Sequence, residues 1–230
     1  MKLSNDTVTV LKNFSTINQN LVIKSGNSIS TMSAMKNIVA KAEVSETFPR
    51  DFAIYDLNEF LAALSLFDKP DLDFKEASCW MLTEDGSTSK ILKYWYSDPS
   101  VVTTPSKEVT MPSCEVSFSL SSNILSDVQK AAAVIGVPDM VLEAMSVGKA
   151  ILKVTDKKNS TANDYAVGID VNNEDGKDLP YKFWFKVENL KLLSGTYNVE
   201  VSSKNISYFK NTNVDIEYWI ALEPESKYNG

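Results

Sequence analysis

The chain has 230 residues, 43% hydrophobic and 23% charged; that mix suits one large folded domain or two small ones and fits neither disorder nor coiled coil. It has no histidine and only two cysteines, Cys79 and Cys114, which removes His-based triads, zinc knuckles and CxxC pairs and suits a reducing compartment. Twenty-two lysines and one arginine, Arg50, face 30 acids for a net charge of −7, so a simple basic nucleic-acid binder is excluded, while a local basic surface is not.

The opening Met1-Lys2-Leu3-Ser4-Asn5-Asp6 has no apolar signal-peptide core, and no run approaches the ~18 apolar residues of a membrane span. Asn5-Asp6-Thr7 and Asn159-Ser160-Thr161 are then chance glycosylation sequons. Ser4 is a candidate N-cap, with Leu3, Thr7, Val10, Leu11, Phe14 and Ile17 on one face of the helix that follows. Strands are expected at Leu21–Ile23 and Ile38–Val44, around the turn signal Ser25-Gly26-Asn27, and at Phe52–Tyr55. Asp56 caps a short helix that turns Leu57, Phe60, Leu61 and Leu64 inward, and Lys69-Pro70 ends it. Asp71 and Asp73 beside Pro70 read as turn residues rather than a catalytic pair. Strands follow at Ser78–Leu82 and, after the turn Glu84-Asp85-Gly86, at Lys90–Tyr96.

The stretch Asp98–Pro112 changes character. Pro99, Pro105 and Pro112 stand among Ser and Thr with no helical period, which reads as an extended connector. The expected division is therefore residues 1–98, a connector at 99–112, and residues 113–230. Ser121 then caps a helix with Ile124, Leu125, Val128, Ala131, Ala132 and Ile135 inward, stopped by Gly136-Val137-Pro138. Strands are expected at Met140–Met145, Ala150–Thr155, Tyr165–Val171 and Tyr181–Lys186, then a short helix near Glu188–Leu193, and two closing strands at Thr196–Ser202 and Val214–Leu222. The Asp170–Leu179 stretch has the acids of a calcium loop, but Asp175 replaces the required Gly and Tyr181 the closing Glu, so it reads as a hairpin turn. No metal site, cofactor or catalytic residue is expected.

The halves repeat one plan. Leu3-Ser4 returns as Leu120-Ser121, 117 positions later, and Phe52–Leu61 has a counterpart in Tyr181–Lys191, again a strand running into a short helix. Opposite the first apolar stripe lie Asn5, Thr9, Lys12 and Thr16. The same offset gives Ser122, Ser126, Gln129 and Ala133, with Lys130 beside them. Neither face has an acid at its centre. It is either a plain solvated face or one that attracts a polyanion weakly and without sequence preference.

Met1–Thr7, Leu11-Lys12-Asn13-Phe14 and Ile17-Asn18 resemble the amino terminus of the T4-type bacteriophage DNA polymerase sliding clamps. Phe52–Leu61, Ser97-Asp98-Pro99-Ser100, Leu193–Tyr197 and Tyr218–Glu223 are similar to the same family, in the same order. The resemblance implies an α+β chain of two similar processivity-fold domains, assembled head to tail as a homotrimeric ring around duplex DNA, with helices lining the hole and sheets forming the rim. It implies no enzymatic activity but a tether for the viral DNA polymerase in the cytoplasm of the infected bacterial host, with transcription factors as further candidate clients. The chain has no GxxxxGK[ST], so a separate clamp-loader ATPase is implied.

Under that resemblance Lys12, Lys130, Lys69 and Lys191 face the DNA. Val101, Val102 and Pro105, with Ala221, Leu222 and Pro224, border a groove for client peptides, unless they only pack between domains. Tyr94, Trp95 and Tyr96 pair across the subunit junction with the strand carrying Tyr165, Val167 and Ile169, unless these aromatics only fill the first core. The competing reading of the whole chain is a duplicated β-rich phage binding or structural protein that works without DNA. A hydrolase using acid pairs is a remote third.

Overall fold

The computed structural model describes residues 1–85, 88–105, 107–173 and 180–229. Gly86 of the expected turn Glu84-Asp85-Gly86 and most of the Asp170–Leu179 loop lie outside them. The chain divides into two compact units, Met1–Glu108 and Val109–Gly230, and the division falls inside the proline-marked stretch.

In the first unit, α1 (Asn5–Ile17) starts where the Ser4 hydroxyl accepts the Thr7 N–H at 3.2 Å. Thr7, Val10, Leu11, Phe14 and Ile17 are buried, as their spacing predicts. Each large apolar side chain among them contributes about 1.5–3 kcal/mol on burial. Strands β1 (Leu21–Ile23), β2 (Gly26–Met32), β3 (Ile38–Phe48) and β4 (Phe52–Ile54) form antiparallel pairs in the order β3-β2-β1-β4. Helix α2 (Leu57–Ser65) is capped by the Asp56 carboxylate, which accepts from the N–H groups of Asn58 and Glu59. It packs beside α1. Strands β5 (Asp71–Phe74), β6 (Ser78–Asp85) and β7 (Thr88–Trp95) form a separate meander.

Two of these strands depart from expectation. The β2 segment carries Ser or Thr at three of its seven positions, Ile29 and Thr31 are its only buried residues, and no apolar alternation announces it. Asp71 and Asp73 lie within β5, paired to Leu82 and Trp80, rather than in a turn.

Glu46 joins α1 to this sheet. From β3 its buried carboxylate accepts the Ser4 N–H, the Thr7 hydroxyl and, at 3.1 Å, the Ser45 hydroxyl. Burial pushes its pKa up, but the hydrogen bonds from Thr7 and Ser4 outweigh burial and hold it below its ordinary value.

The second unit contains β8 (Val116–Leu120), α3 (Ser122–Ile135), β9 (Asp139–Ser146), β10 (Lys149–Thr155), β11 (Tyr165–Asp170), β12 (Asn172–Asn173), β13 (Tyr181–Lys186), β14 (Tyr197–Ser202), β15 (Ile206–Asn211), β16 (Ile216–Ala221) and β17 (Lys227–Tyr228). One sheet runs β11-β10-β9-β13-β17, and its first four strands repeat the order β3-β2-β1-β4. The meander β14-β15-β16 repeats β5-β6-β7, with β8 added on its outer side. The duplication expected from the sequence is thus present strand by strand. Gly136, at φ 69°, caps α3 in the left-handed conformation that glycine adopts without strain.

The repeat is imperfect at the second short helix. In place of a helix over Glu188–Leu193 there is a single 3-10 turn, Val187–Asn189. Asp56 caps α2, but the corresponding Lys186 has no oxygen to offer; its ammonium pairs with the buried Asp139 at 2.6 Å. Asn189 and Leu190 are buried, which draws the chain inward after one turn.

Candidate nucleic-acid interface and assembly edges

Asn5, Thr9, Lys12 and Thr16 are all exposed, on the side of α1 opposite its buried stripe. The α3 face is rotated from the expected one. Adding 118, not 117, to Thr7, Val10 and Phe14 gives Leu125, Val128 and Ala132, the three buried residues of α3. The caps are 117 apart while the buried stripes are 118 apart, so α3 has one more residue before its stripe begins.

This register puts Lys12 and Lys130 at matching positions, and Asn5 opposite Asn123. It also matches Thr9 with Asp127 and Thr16 with Val134, which is 85% exposed. Gln129 is turned aside to donate its amide to the Leu190 carbonyl at 2.9 Å. The exposed face of α3 therefore carries an acid three residues from Lys130, which the 117 offset hid. The α1 face is the less acidic of the two.

Lys69 joins Lys12 in lining a cleft of about 260 Å³ floored by Leu61, Leu64 and Pro70, with Asp68 at its rim. Lys69 adopts φ 50° directly before a proline, a conformation that costs about 1–3 kcal/mol. Lys191 lies beyond the 3-10 turn, not on a helix, and is half-buried.

The six residues expected to take client peptides differ in exposure. Val102 and Leu222 are buried, Pro105 and Ala221 half-buried, and Val101 and Pro224 exposed. Part of the connector is folded. Pro99–Val101 forms a 3-10 turn capped by Asp98, and the Thr103 N–H donates to the Asn20 side chain at 3.1 Å.

Each unit contains one sheet that ends on an edge strand expected at the junction: β7 in the first unit and β11 in the second. The aromatics on β7 and just past it diverge. Tyr94 packs edge-on against Phe60, 5.1 Å between ring centres, and its hydroxyl donates to the Asp56 carbonyl at 3.2 Å. Burial, with the carboxylates of Glu59 and Asp56, pushes that hydroxyl up to about 12. Tyr96 lies on Phe52 at 5.0 Å. Trp95 points the other way and is 62% exposed, with the Lys93 ammonium 3.8 Å above its ring. Ile91, which the sequence reading did not single out, shares that exposed face. On β11, Tyr165 is exposed, Val167 half-buried and Ile169 buried.

Among the described residues, no group of three or more Cys, Asp or Glu could hold a metal ion, and no helix is long and apolar enough to cross a membrane. The family model described as "DNA polymerase processivity factor" matches residues 4–104. The sliding clamp of Vibrio phage KVP40 is 35% identical over 227 residues, covering 97% of this chain and 99% of that protein. The chain belongs to the sliding clamps. The clamp of Enterobacteria phage T4 is 28% identical over the whole of both chains. Among solved structures, the proliferating cell nuclear antigen of Entamoeba histolytica superposes with a TM-score of 0.68 at 13% identity, over 94% of each chain. A PCNA2–PCNA3 complex from Sulfolobus tokodaii gives 0.67 at 11% identity, over 98% of this chain and 100% of that one. At those identities the likeness is one of fold, and it is the clamp fold of two similar α+β domains that the sequence led us to expect.

Proposed function

We propose that this clamp assembles head to tail as a three-subunit ring around duplex DNA and tethers the phage DNA polymerase for processive synthesis. It does so without catalysing a reaction. The observation that carries this reading is the pair of sheet edges, β7 in one unit and β11 in the other. An unpaired edge is a template for another strand, and two different edges on one chain make a heterologous contact that closes into a ring if its rotation allows.

Topology then does the holding. A net charge of −7 discourages binding of DNA to the outer surface, while Lys12, Lys69 and Lys130 supply loose attraction inside. Strong contacts would slow sliding. Lys191, half-buried, adds least. Short client peptides are taken up by Val101, Val102 and Pro105 and by Ala221, Leu222 and Pro224, of which Val101 and Pro224 are the exposed ones. A loader ATPase opens the ring, transcription factors are further candidate clients, and the site of action is the cytoplasm of the infected bacterium.

Sedimentation tests the assembly. The expected mass is three times the 25.5 kDa of the chain. A chain that remains monomeric at every concentration would favour the competing reading of a duplicated binding protein.

A further inference from the structure

Gly168 is a glycine that its own chain does not require. Of the five glycines among the described residues, Gly26, Gly136, Gly148 and Gly195 have a positive φ, which favours glycine, and Gly168 does not. It lies inside β11, paired to Ile151 of β10, where glycine weakens a strand. A Cβ at position 168 would meet no atom within 4 Å among the described residues. Glycine inside a strand often marks the close approach of another group, and here none from the same chain makes that approach.

The edge strand β7 has the opposite excess. Tyr94 turns to Phe60, so Ile91, Lys93 and Trp95 stand together on the other face of the strand. Ile91 is 61% exposed and Trp95 62%, four residues apart in one row. Large apolar side chains gathered on one open strand face form the kind of surface that a partner covers.

The two faces meet when β7 of one subunit pairs with β11 of the next. Carrying the pleat across the junction sets the Tyr94 side of β7 beside Val167 and Ile169, each turned to its own core, and sets the Ile91–Trp95 row beside Gly168. The charges agree. β7 carries Lys90 and Lys93 and no acid, while β11 and the residue before it carry Asp164 and Asp170 and no base; all four are exposed. Asp170 also pairs with Lys149 of its own chain. We propose that the face of β7 bearing Ile91 and Trp95 packs over Gly168 of the next subunit, and that position 168 is glycine because the neighbour's side chains occupy the space a Cβ would fill. This rests on the ring reading above.

Sedimentation over a dilution series, with thermal melting of the dissociated chain as the control, tests it. Gly168→Val suits a strand and meets no described atom of its own chain, so the dissociated variant should melt at the wild-type temperature or above it. The same change should raise the concentration at which half the rings dissociate by roughly tenfold or more, the usual effect of overpacking a close contact. Trp95→Ala should weaken the ring as well, and the double variant should lose less than the sum of the two single losses, because both changes act on one contact. Trp95 is exposed, so its variant folds and remains informative even if Gly168→Val does not. A Gly168→Val chain that melts lower when dissociated, or that assembles as well as wild type, would overturn the packing alone, and so would a Trp95→Ala ring of wild-type stability. A wild-type chain that never assembles would overturn the ring reading and the packing with it.

Discussion

Glu46→Ala is expected to destabilise the first unit by about 2–4 kcal/mol, because it strands the Ser4 N–H and the Thr7 hydroxyl at the buried start of α1. Chemical denaturation at pH 7 would measure this. Glu46→Gln retains an acceptor oxygen and should recover part of the loss. The same carboxylate sets a pH dependence. Its folded pKa lies below the ordinary 4.5, so its contribution is complete above about pH 4.5 and disappears as pH falls through the folded value. Glu115 acts alike in the second unit. Burial pushes it up, but hydrogen bonds from Ser203 and Ser113 leave it lowered. Wild-type melting temperature should therefore fall between pH 5 and 3, and the Glu46→Ala curve should be flatter there. Parallel curves would mean that Glu46 is not ionised and bonded as described.

Reversing Lys12 and Lys130 to Glu is expected to lower processive synthesis at least tenfold while leaving folding and the oligomer intact. Both side chains are exposed, and such substitutions usually change stability by no more than about 0.5 kcal/mol. In a three-subunit ring the double change replaces six attractive charges with six repulsive ones around the duplex. The defect should be largest at low salt and shrink as salt rises, because the lost attraction and the added repulsion are both screened within about 10 Å at 0.1 M. The register found here adds an inequality. Lys130 stands three residues from Asp127, whereas the α1 face around Lys12 has Asn and Thr. Lys12→Glu alone should cost more than Lys130→Glu alone. Primer extension on a long template, across a salt series, reads both effects. Loss of the oligomer instead would make these lysines structural.

What the sequence announced depended on how plainly each residue stated its burial. Helices α1 and α2 were legible because Ser4 and Asp56 are strong caps and the residues behind them are apolar at helical spacing. The strand β15 was not, because two of its three buried positions are polar. Ser207 donates to the Ile220 carbonyl, and Asn211 accepts from the N–H groups of Asn213 and Val214, so the strand lacks apolar alternation. The same reason hid β2. A shared cap position suggested the wrong register for α3, since a cap shows where a helix begins and not which way its face turns. Exposure was beyond reach. Trp95 and Tyr96 are adjacent aromatics, yet one points outward and the other rests on Phe52, and that difference comes from strand pairing far away in the chain.

The central claim is that the clamp is held on DNA by encirclement. The direct measurement is retention after loading onto a circular duplex, compared with the same duplex cut once to leave free ends. The clamp should remain on the circle and leave the linear molecule within the time needed to slide off, and blocking the ends with bound protein should restore retention. Equal retention on circular and open linear DNA would contradict the account, because it would mean that surface contacts rather than ring closure hold the protein in place.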